Sequence, residues 1–319
     1  MVNEVVLAEP RGFCAGVIRA IEAVEESLIL YGAPIYVRKQ IVHNPFVVKE
    51  LEQKGAIFVE EVTDVPKGAR VIFSAHGIAP TVKTMATERA LDFIDATCPL
   101  VTKVHIEALK YASKGNTIIL IGHEGHDEVI GTMGEAPEKM ILVGTIEEAL
   151  SAEVPDPTKV AVISQTTLSV DDTKDILRVL NDRFPDMVTP STSDICFATQ
   201  NRQDAVKLLT TEVDLILVLG AENSSNSQRL REVASLLGTP SYLITNISEL
   251  KNEWLDGIQT VGITSGASTP ETLVEEVVSF FEKRYAPKFR SLKAVDEDVE
   301  FSLPPEIIEI KKARDRLGK

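Results

Sequence analysis

Three cysteines stand in these 319 residues, and each opens the same kind of segment. Cys14 lies in EPRGFCAGVIRAI, Cys98 in IDATCPLVTKVHI and Cys196 in SDICFATQNRQDAV. Each falls just before or at the start of a helix-patterned stretch. A helix N-terminus favours the thiolate, the form that binds metals. No CxxC pair occurs, which argues against a zinc ribbon, although a Cys₃His zinc site stays open. An iron–sulfur cluster fits better, because its size suits ligands from three separate segments. A fully protein-ligated [4Fe–4S] cluster takes four thiolates. Three would leave one iron with an open position, as in catalytic metal sites. A lone cysteine is often a buried small hydrophobe. Three at matching places in a repeat point to one shared centre.

A second tier of polar residues follows at matched intervals. His43 comes 29 residues after Cys14, His126 comes 28 after Cys98, and Ser224 and Asn226 come 28 and 30 after Cys196. A third tier, His76, Thr166 and Ser268, follows at 62, 68 and 72. These residue types are hydrogen-bond donors suited to phosphate oxygens, and backbone N–H groups at helix starts add anion affinity. NSSNS around Ser224 also reads simply as a helix cap. His105, in a helix, and His123 read as surface or hydrogen-bonded histidines. Glu128 stands two residues after His126. On an extended segment that spacing places both side chains on one face, where a carboxyl can act as proton donor. No GxGxxG and no GxxxxGK[ST] occurs, so electrons are expected from a separate redox protein.

The elements that must hold these tiers repeat with them. After each cysteine helix comes a short apolar run, then a second (AIFVEEV, MILVGTI, SYLITNI), then a third (VIFSAHG, VAVISQTT, TVGITSGAS). Short β-rich runs alternating with helical periods imply βαβ units and mainly parallel sheets. A period of roughly 85–100 residues is too long for a solenoid and implies three small α/β domains. We place them at 12–97, 98–195 and 196–283, with 1–11 joining the third and 284–319 as a C-terminal extension. The last ten or so residues are expected to be mobile. Val17, Ile21, Val24 and Leu28 form the apolar stripe of the first helix. FATQNRQDAVKLL is a weaker helical pattern. Gly32, Gly55, Gly115 and Gly238 read as helix stops. Ligands of open α/β sheets bind outside the carboxyl ends of the strands, where the polar tiers fall.

Composition sets the frame. With 44% hydrophobic and 25% charged residues the chain reads as globular. Its net charge of −15, from 33 basic and 48 acidic residues, disfavours nucleic acid and anionic membrane as partners. No run approaches the length of a transmembrane helix, and the N-terminus lacks the pattern of a signal peptide. The expected compartment is the cytoplasm, where cysteines stay reduced or bind metals.

The motifs PRGFCAGV, VHN at His43, SAHG at His76, DATCPLV, GTMGE after Glu128, QTTLS at Thr166, NSSNS and GAS at Ser268 occur in order. Together they resemble the LytB-type 4-hydroxy-3-methylbut-2-enyl diphosphate reductases of the methylerythritol phosphate route to isoprenoids. The resemblance runs from about Val5 to Phe301. It implies three pseudo-equivalent α/β domains arranged as a trefoil around a central cluster and substrate cavity. It implies a [4Fe–4S] cluster on Cys14, Cys98 and Cys196, with the substrate hydroxyl at the fourth iron. The diphosphate is then held by His43, His76, His126, Thr166, Ser224, Ser225, Asn226 and Ser268, and Glu128 delivers protons with help from Thr166. The implied reaction is a two-electron, two-proton reductive dehydroxylation to isopentenyl and dimethylallyl diphosphates. Ferredoxin or flavodoxin is the implied donor. Glu9, Pro45, Asp127 and Phe197 depart from the family's common residues beside these motifs. A three-domain redox or metal sensor would need neither Glu128 nor the donor ring, and a hydro-lyase would need no electrons.

Overall fold

The computed structural model describes residues 1–317. Its strands, in chain order, are β1 (Glu4–Glu9), β2 (Ile35–Arg38), β3 (Ala56–Val59), β4 (Arg70–Phe73), β5 (Asp92–Asp95), β6 (Thr117–Ile121), β7 (Met140–Val143), β8 (Val160–Ser164), β9 (Leu215–Leu219), β10 (Ser241–Ile244), β11 (Thr260–Ser265) and β12 (Lys288–Lys293). The helices are α1 (Ala15–Tyr31), α2 (Pro45–Lys54), α3 (Pro80–Glu88), α4 (Pro99–Ser113), α5 (Asp127–Met133), α6 (Ile146–Ser151), α7 (Val170–Arg183), α8 (Phe197–Leu209), α9 (Ser225–Leu236), α10 (Glu271–Tyr285) and α11 (Pro305–Leu317).

The strands form three sheets, ordered β3-β2-β4-β5, β7-β6-β8 and β10-β9-β11-β1-β12. Every ladder in them is parallel. The three apolar runs after each cysteine take the same places each time. The first run lies in the middle, flanked by the second on one side and the third on the other. Beyond the third run comes a further segment that leads to a cysteine. It is β5 before Cys98 and β1 before Cys14. In the small sheet it is a single parallel bridge from Ala161 to Val188, ahead of Cys196.

The chain divides into two compact units. One comprises Met1–Cys14, His43–Pro45 and Cys196–Val299 and contains the five-stranded sheet. The other comprises Ala15–Val42, Phe46–Ile195 and the residues from Glu300 onward, with the other two sheets. In the first unit β9 is buried throughout, as a strand covered on both faces must be. Leu215, Leu217 and Leu219 pack with Leu273, Val277 and Phe281 of α10. Ile216 and Val218 pack with Ala205, Val206 and Leu209 of α8 and Leu230 of α9. In the second unit Ile119 and Val162 pack with Ile176 and Leu180 of α7, while Ile118 and Ile163 pack with Val104 and Ala108 of α4. Val71 and Phe73 pack with Val82 and Ala86 of α3.

The weak pattern of FATQNRQDAVKLL has a physical reason. Helix α8 buries Arg202 and Gln203 almost completely, so its inward face is partly polar. Gly32, Gly55, Gly115 and Gly238 all take positive φ, as helix stops do. The stretch after Lys283 is more ordered than its composition implies. Lys288–Lys293 pairs with β1 as an edge strand. Helix α11 lies against α1: Ile307, ahead of the last ten residues, is fully buried and Lys311 meets Glu26 at 2.8 Å.

Candidate active site

The first compact unit gathers Cys14, His43, Cys196, Ser224, Ser225, Asn226 and Ser268. Cys14 ends the loop that leaves β1 and directly precedes α1. Its N–H donates to the Ala267 carbonyl at 3.1 Å. Gly12 takes a φ of +70°, in the left-handed region that glycine enters without a Cβ penalty. Its N–H donates to Ser265 Oγ at 2.9 Å. Cys196 is the N-cap of α8, and its Sγ accepts from the Thr199 N–H at 3.3 Å. Ser224 caps α9 and accepts from the N–H and hydroxyl of Ser227. Asn226 Oδ1 accepts from the Ala267 N–H at 2.9 Å. Its Nδ2 is buried without a hydrogen-bond partner, and buried amide donors are nearly always satisfied. Ser268 donates to the His43 carbonyl at 3.0 Å, and the Asn223 amide lies 3.5 Å from His43 Nδ1.

The second unit gathers His76, Cys98, His126, Glu128 and Thr166. Cys98 is the N-cap of α4, with proline at the first helical position and its own N–H donating to the Ala75 carbonyl. The His76 and His126 rings meet edge to face with centroids 5.9 Å apart. Glu128 is 2% exposed. Its Oε1 accepts the Thr166 N–H at 2.7 Å and its Oε2 accepts the Thr166 hydroxyl at 3.0 Å. Burial pushes this carboxyl up to about 7, against the lowering from the two Thr166 hydrogen bonds, and Asp194 adds to the rise. A carboxyl poised there can carry and release a proton near neutral pH.

One sequence expectation needs correction. His126 and Glu128 are not side by side on an extended segment. His126 caps α5, its Nδ1 accepts the Glu128 N–H at 3.2 Å, and Glu128 already lies within that helix. The cap turns the chain, so the two-residue spacing carries the carboxylate back toward Thr166. His105 is hydrogen-bonded, as expected, with Nδ1 2.8 Å from Glu135. Its burial lowers its pKa, opposed by Glu135. Three of the departures from the family's common residues fall at first helical positions: Pro45, Asp127 and Phe197 begin α2, α5 and α8. Sequence reading passed over Arg19, Lys103 and Arg202. Their signal was available, because they follow the three cysteines at 5, 5 and 6 residues.

The family model described as LytB protein matches residues 5–282, which is most of the sequence. The chain belongs to the LytB protein family. Among curated LytB relatives, a 4-hydroxy-3-methylbut-2-enyl diphosphate reductase of Leifsonia xyli subsp. xyli is 55% identical over 306 residues, covering 96% of this chain and 91% of its own. One from Rhodopseudomonas palustris is 54% identical over 301 residues, covering 94% and 98%. Among solved structures, the E-1-hydroxy-2-methyl-but-2-enyl-4-diphosphate reductase from Plasmodium falciparum superposes with a TM-score of 0.96 at 38% identity, covering 99% of this chain and all of its own. A second, described as the terminal enzyme of the non-mevalonate pathway, gives a TM-score of 0.62 at 35% identity over 88% of this chain. Among the described residues of this LytB chain, no helix is long and apolar enough to cross a membrane.

Proposed function

We propose that this LytB protein is a 4-hydroxy-3-methylbut-2-enyl diphosphate reductase, the last enzyme of the non-mevalonate isoprenoid route. The substrate's allylic C–O bond is cleaved with two electrons and two protons. The products are isopentenyl or dimethylallyl diphosphate and one water. The arrangement of Glu128 and Thr166 carries this reading. A carboxyl kept near neutrality by burial, with both oxygens engaged by one threonine, is built to hold a proton rather than a permanent charge.

Cys14, Cys98 and Cys196 would hold a [4Fe–4S] cluster. The donor set suits it: none of the three is in a disulfide, two cap helices and the third directly precedes one. When bound, the cluster supplies the electrons and an iron with an open position. The substrate's diphosphate would be held by His43, His76, His126, Thr166, Ser224, Ser225, Asn226 and Ser268. The unpartnered Nδ2 of Asn226 supports this, because a phosphate oxygen would satisfy it. Neutral donors and helix starts can replace an arginine clamp when water is excluded. Glu128 would release its proton to the reacting carbon chain and regain it through the Thr166 hydroxyl, which meets its Oε2. The same reading includes the three-domain trefoil, divided at 12–97, 98–195 and 196–283, with 1–11 joined to the third domain and 284–319 appended. It also includes ferredoxin or flavodoxin as donor and a cytoplasmic location.

An anaerobic assay with reduced viologen and the allylic diphosphate tests the proposal. Wild type should oxidise the dye only with substrate present. Glu128→Gln should keep its iron and lose turnover by about 100-fold or more. Near-normal turnover in that variant removes the proton-donor role. Product formation without any electron donor would favour a hydro-lyase instead.

A further inference from the structure

Each cysteine helix carries one basic side chain about a turn and a half in, and each reaches the loop ahead of the next cysteine. Arg19 of α1 donates through Nη1 to the Thr97 carbonyl at 3.0 Å, one residue before Cys98. Its Nε is taken by the Ser302 carbonyl at 2.8 Å. Lys103 of α4 donates through Nζ to the carbonyls of Thr192 and Ser193 at 3.2 and 3.1 Å, just before Cys196. It also meets Asp194 at 2.8 Å. Arg202 of α8 donates through Nη2 and Nε to the Gly12 carbonyl at 2.8 and 3.2 Å, two residues before Cys14. The same guanidinium holds the Ala198 carbonyl at 2.9 Å and Glu297 at 3.1 Å. Followed along the chain, the pattern closes: the helix of Cys14 serves Cys98, that of Cys98 serves Cys196, and that of Cys196 serves Cys14.

We propose that Arg19, Lys103 and Arg202 are positioning residues, each fixing the loop that presents the next cysteine in the series. This rests on the reading of the three cysteines as ligands of one cluster. Arg19 and Arg202 are both buried, at 7% and 1% exposure. A buried cation is costly unless paired and hydrogen-bonded. Ordinary bracing does not require three cations, two of them buried, at near-equal offsets, each aimed at an equivalent loop. A carbonyl held by a charged donor is fixed more firmly than one held by a neutral donor. Neutral backbone and hydroxyl contacts also order the recipient loops, and in each the cation adds the charged donor. Thr97 is held by Asp95, whose Oδ1 accepts its N–H at 3.0 Å. Asp194 accepts the Ser164 N–H at 2.9 Å. Gly12 lies in left-handed backbone. Ligand positions have to be held to within about half an ångström by such supporting contacts.

The test uses the full chain purified anaerobically with its iron. Arg19→Gln, Lys103→Met and Arg202→Gln are compared, with Arg202→Lys restoring charge without the planar fork. Iron is withdrawn with a chelator while iodoacetamide is present, and peptide mapping reads which cysteine is alkylated first. Each variant should speed labelling of the next cysteine selectively, by about three- to ten-fold: Cys98 for Arg19→Gln, Cys196 for Lys103→Met and Cys14 for Arg202→Gln. The electron paramagnetic resonance signature of the cluster should shift in each, and Arg202→Lys should fall between wild type and Arg202→Gln. Equal acceleration at all three cysteines, or acceleration at the cysteine of the variant's own helix, overturns the proposal. If the buried arginine variants fail to fold, Lys103→Met decides alone, because that side chain is 29% exposed. Unaltered labelling of Cys196 in it is then the refuting result. If wild type holds no iron at all, the cluster reading fails instead, and the labelling order of the cluster-free chain still tests the loops.

Discussion

At the scale of single residues, Glu128 is the group whose surroundings matter most. In an unfolded chain it titrates near 4.5, and in the folded protein near 7. The folded state therefore binds the proton more tightly. Its contribution to stability is fully present below about pH 4.5 and is lost as the pH rises through about 7. A neutral amide in its place would carry no such dependence while keeping a carbonyl for the Thr166 N–H. Relative to wild type, Glu128→Gln should gain stability between pH 5 and pH 8, by up to about 3 kcal/mol. Thermal midpoints across that range check it, and a difference independent of pH would mean the carboxyl is ionised throughout. Glu107, pushed up to about 7 by its burial and then by Asp194, is a second titrating carboxyl in this unit. The variant comparison separates the two, because Glu107 is common to both proteins.

At the scale of elements, the site is a set of junctions between strand ends and helix starts. Each proposed phosphate donor follows a strand, and each cysteine precedes a helix. The loops between them are short, so their backbone geometry is tightly constrained. Gly77, directly after His76, has a φ of +82°, and a Cβ there would come within 3.1 Å of both His105 Nε2 and Val101 Cγ1. Gly77→Ala should therefore cost about 1–3 kcal/mol, through left-handed strain and crowding against α4. A denaturant midpoint unchanged from wild type would show that the loop relaxes freely. The repeated offsets of cysteines and polar residues made these junctions legible from the sequence. The helix cap by His126 was not legible, because an imidazole cap and an extended pair leave the same two-residue spacing.

At the scale of the whole molecule, the three runs after each cysteine share one order in all three sheets, and each cysteine follows the segment that pairs beyond the third run; in the five-stranded sheet β12 adds a further edge outside that segment. The repeat is therefore threaded: the segment beyond the third run of each sheet is also the approach to the next cysteine. Loss of one cysteine removes a third of the proposed ligand set. Cys98→Ser should retain less than about half of the wild-type iron after anaerobic reconstitution, since a hydroxyl is a poor replacement for a soft thiolate ligand. Full iron content would deny Cys98 that role. The net charge of −15 belongs to this scale too. It gives association with any charged donor protein a dependence on salt.

The sequence by itself determined the α/β class, the parallel runs and the family, because apolar periodicity and motif order are local and repeat. It also picked out Cys14, Cys98, Cys196 and the polar tiers, since their offsets are properties of the chain. What only the tertiary structure decided are the partnerships across distance. Glu128 is raised toward neutrality by burial beneath Thr166, 38 residues away, and desolvation has no signature in a string of letters. Arg202 looks like any surface arginine of a polar helix until its guanidinium is found on the Gly12 carbonyl, 190 residues away. The edge strand β12 reads as tail because its alternating, half-exposed residues acquire a partner only when β1 lies beside them.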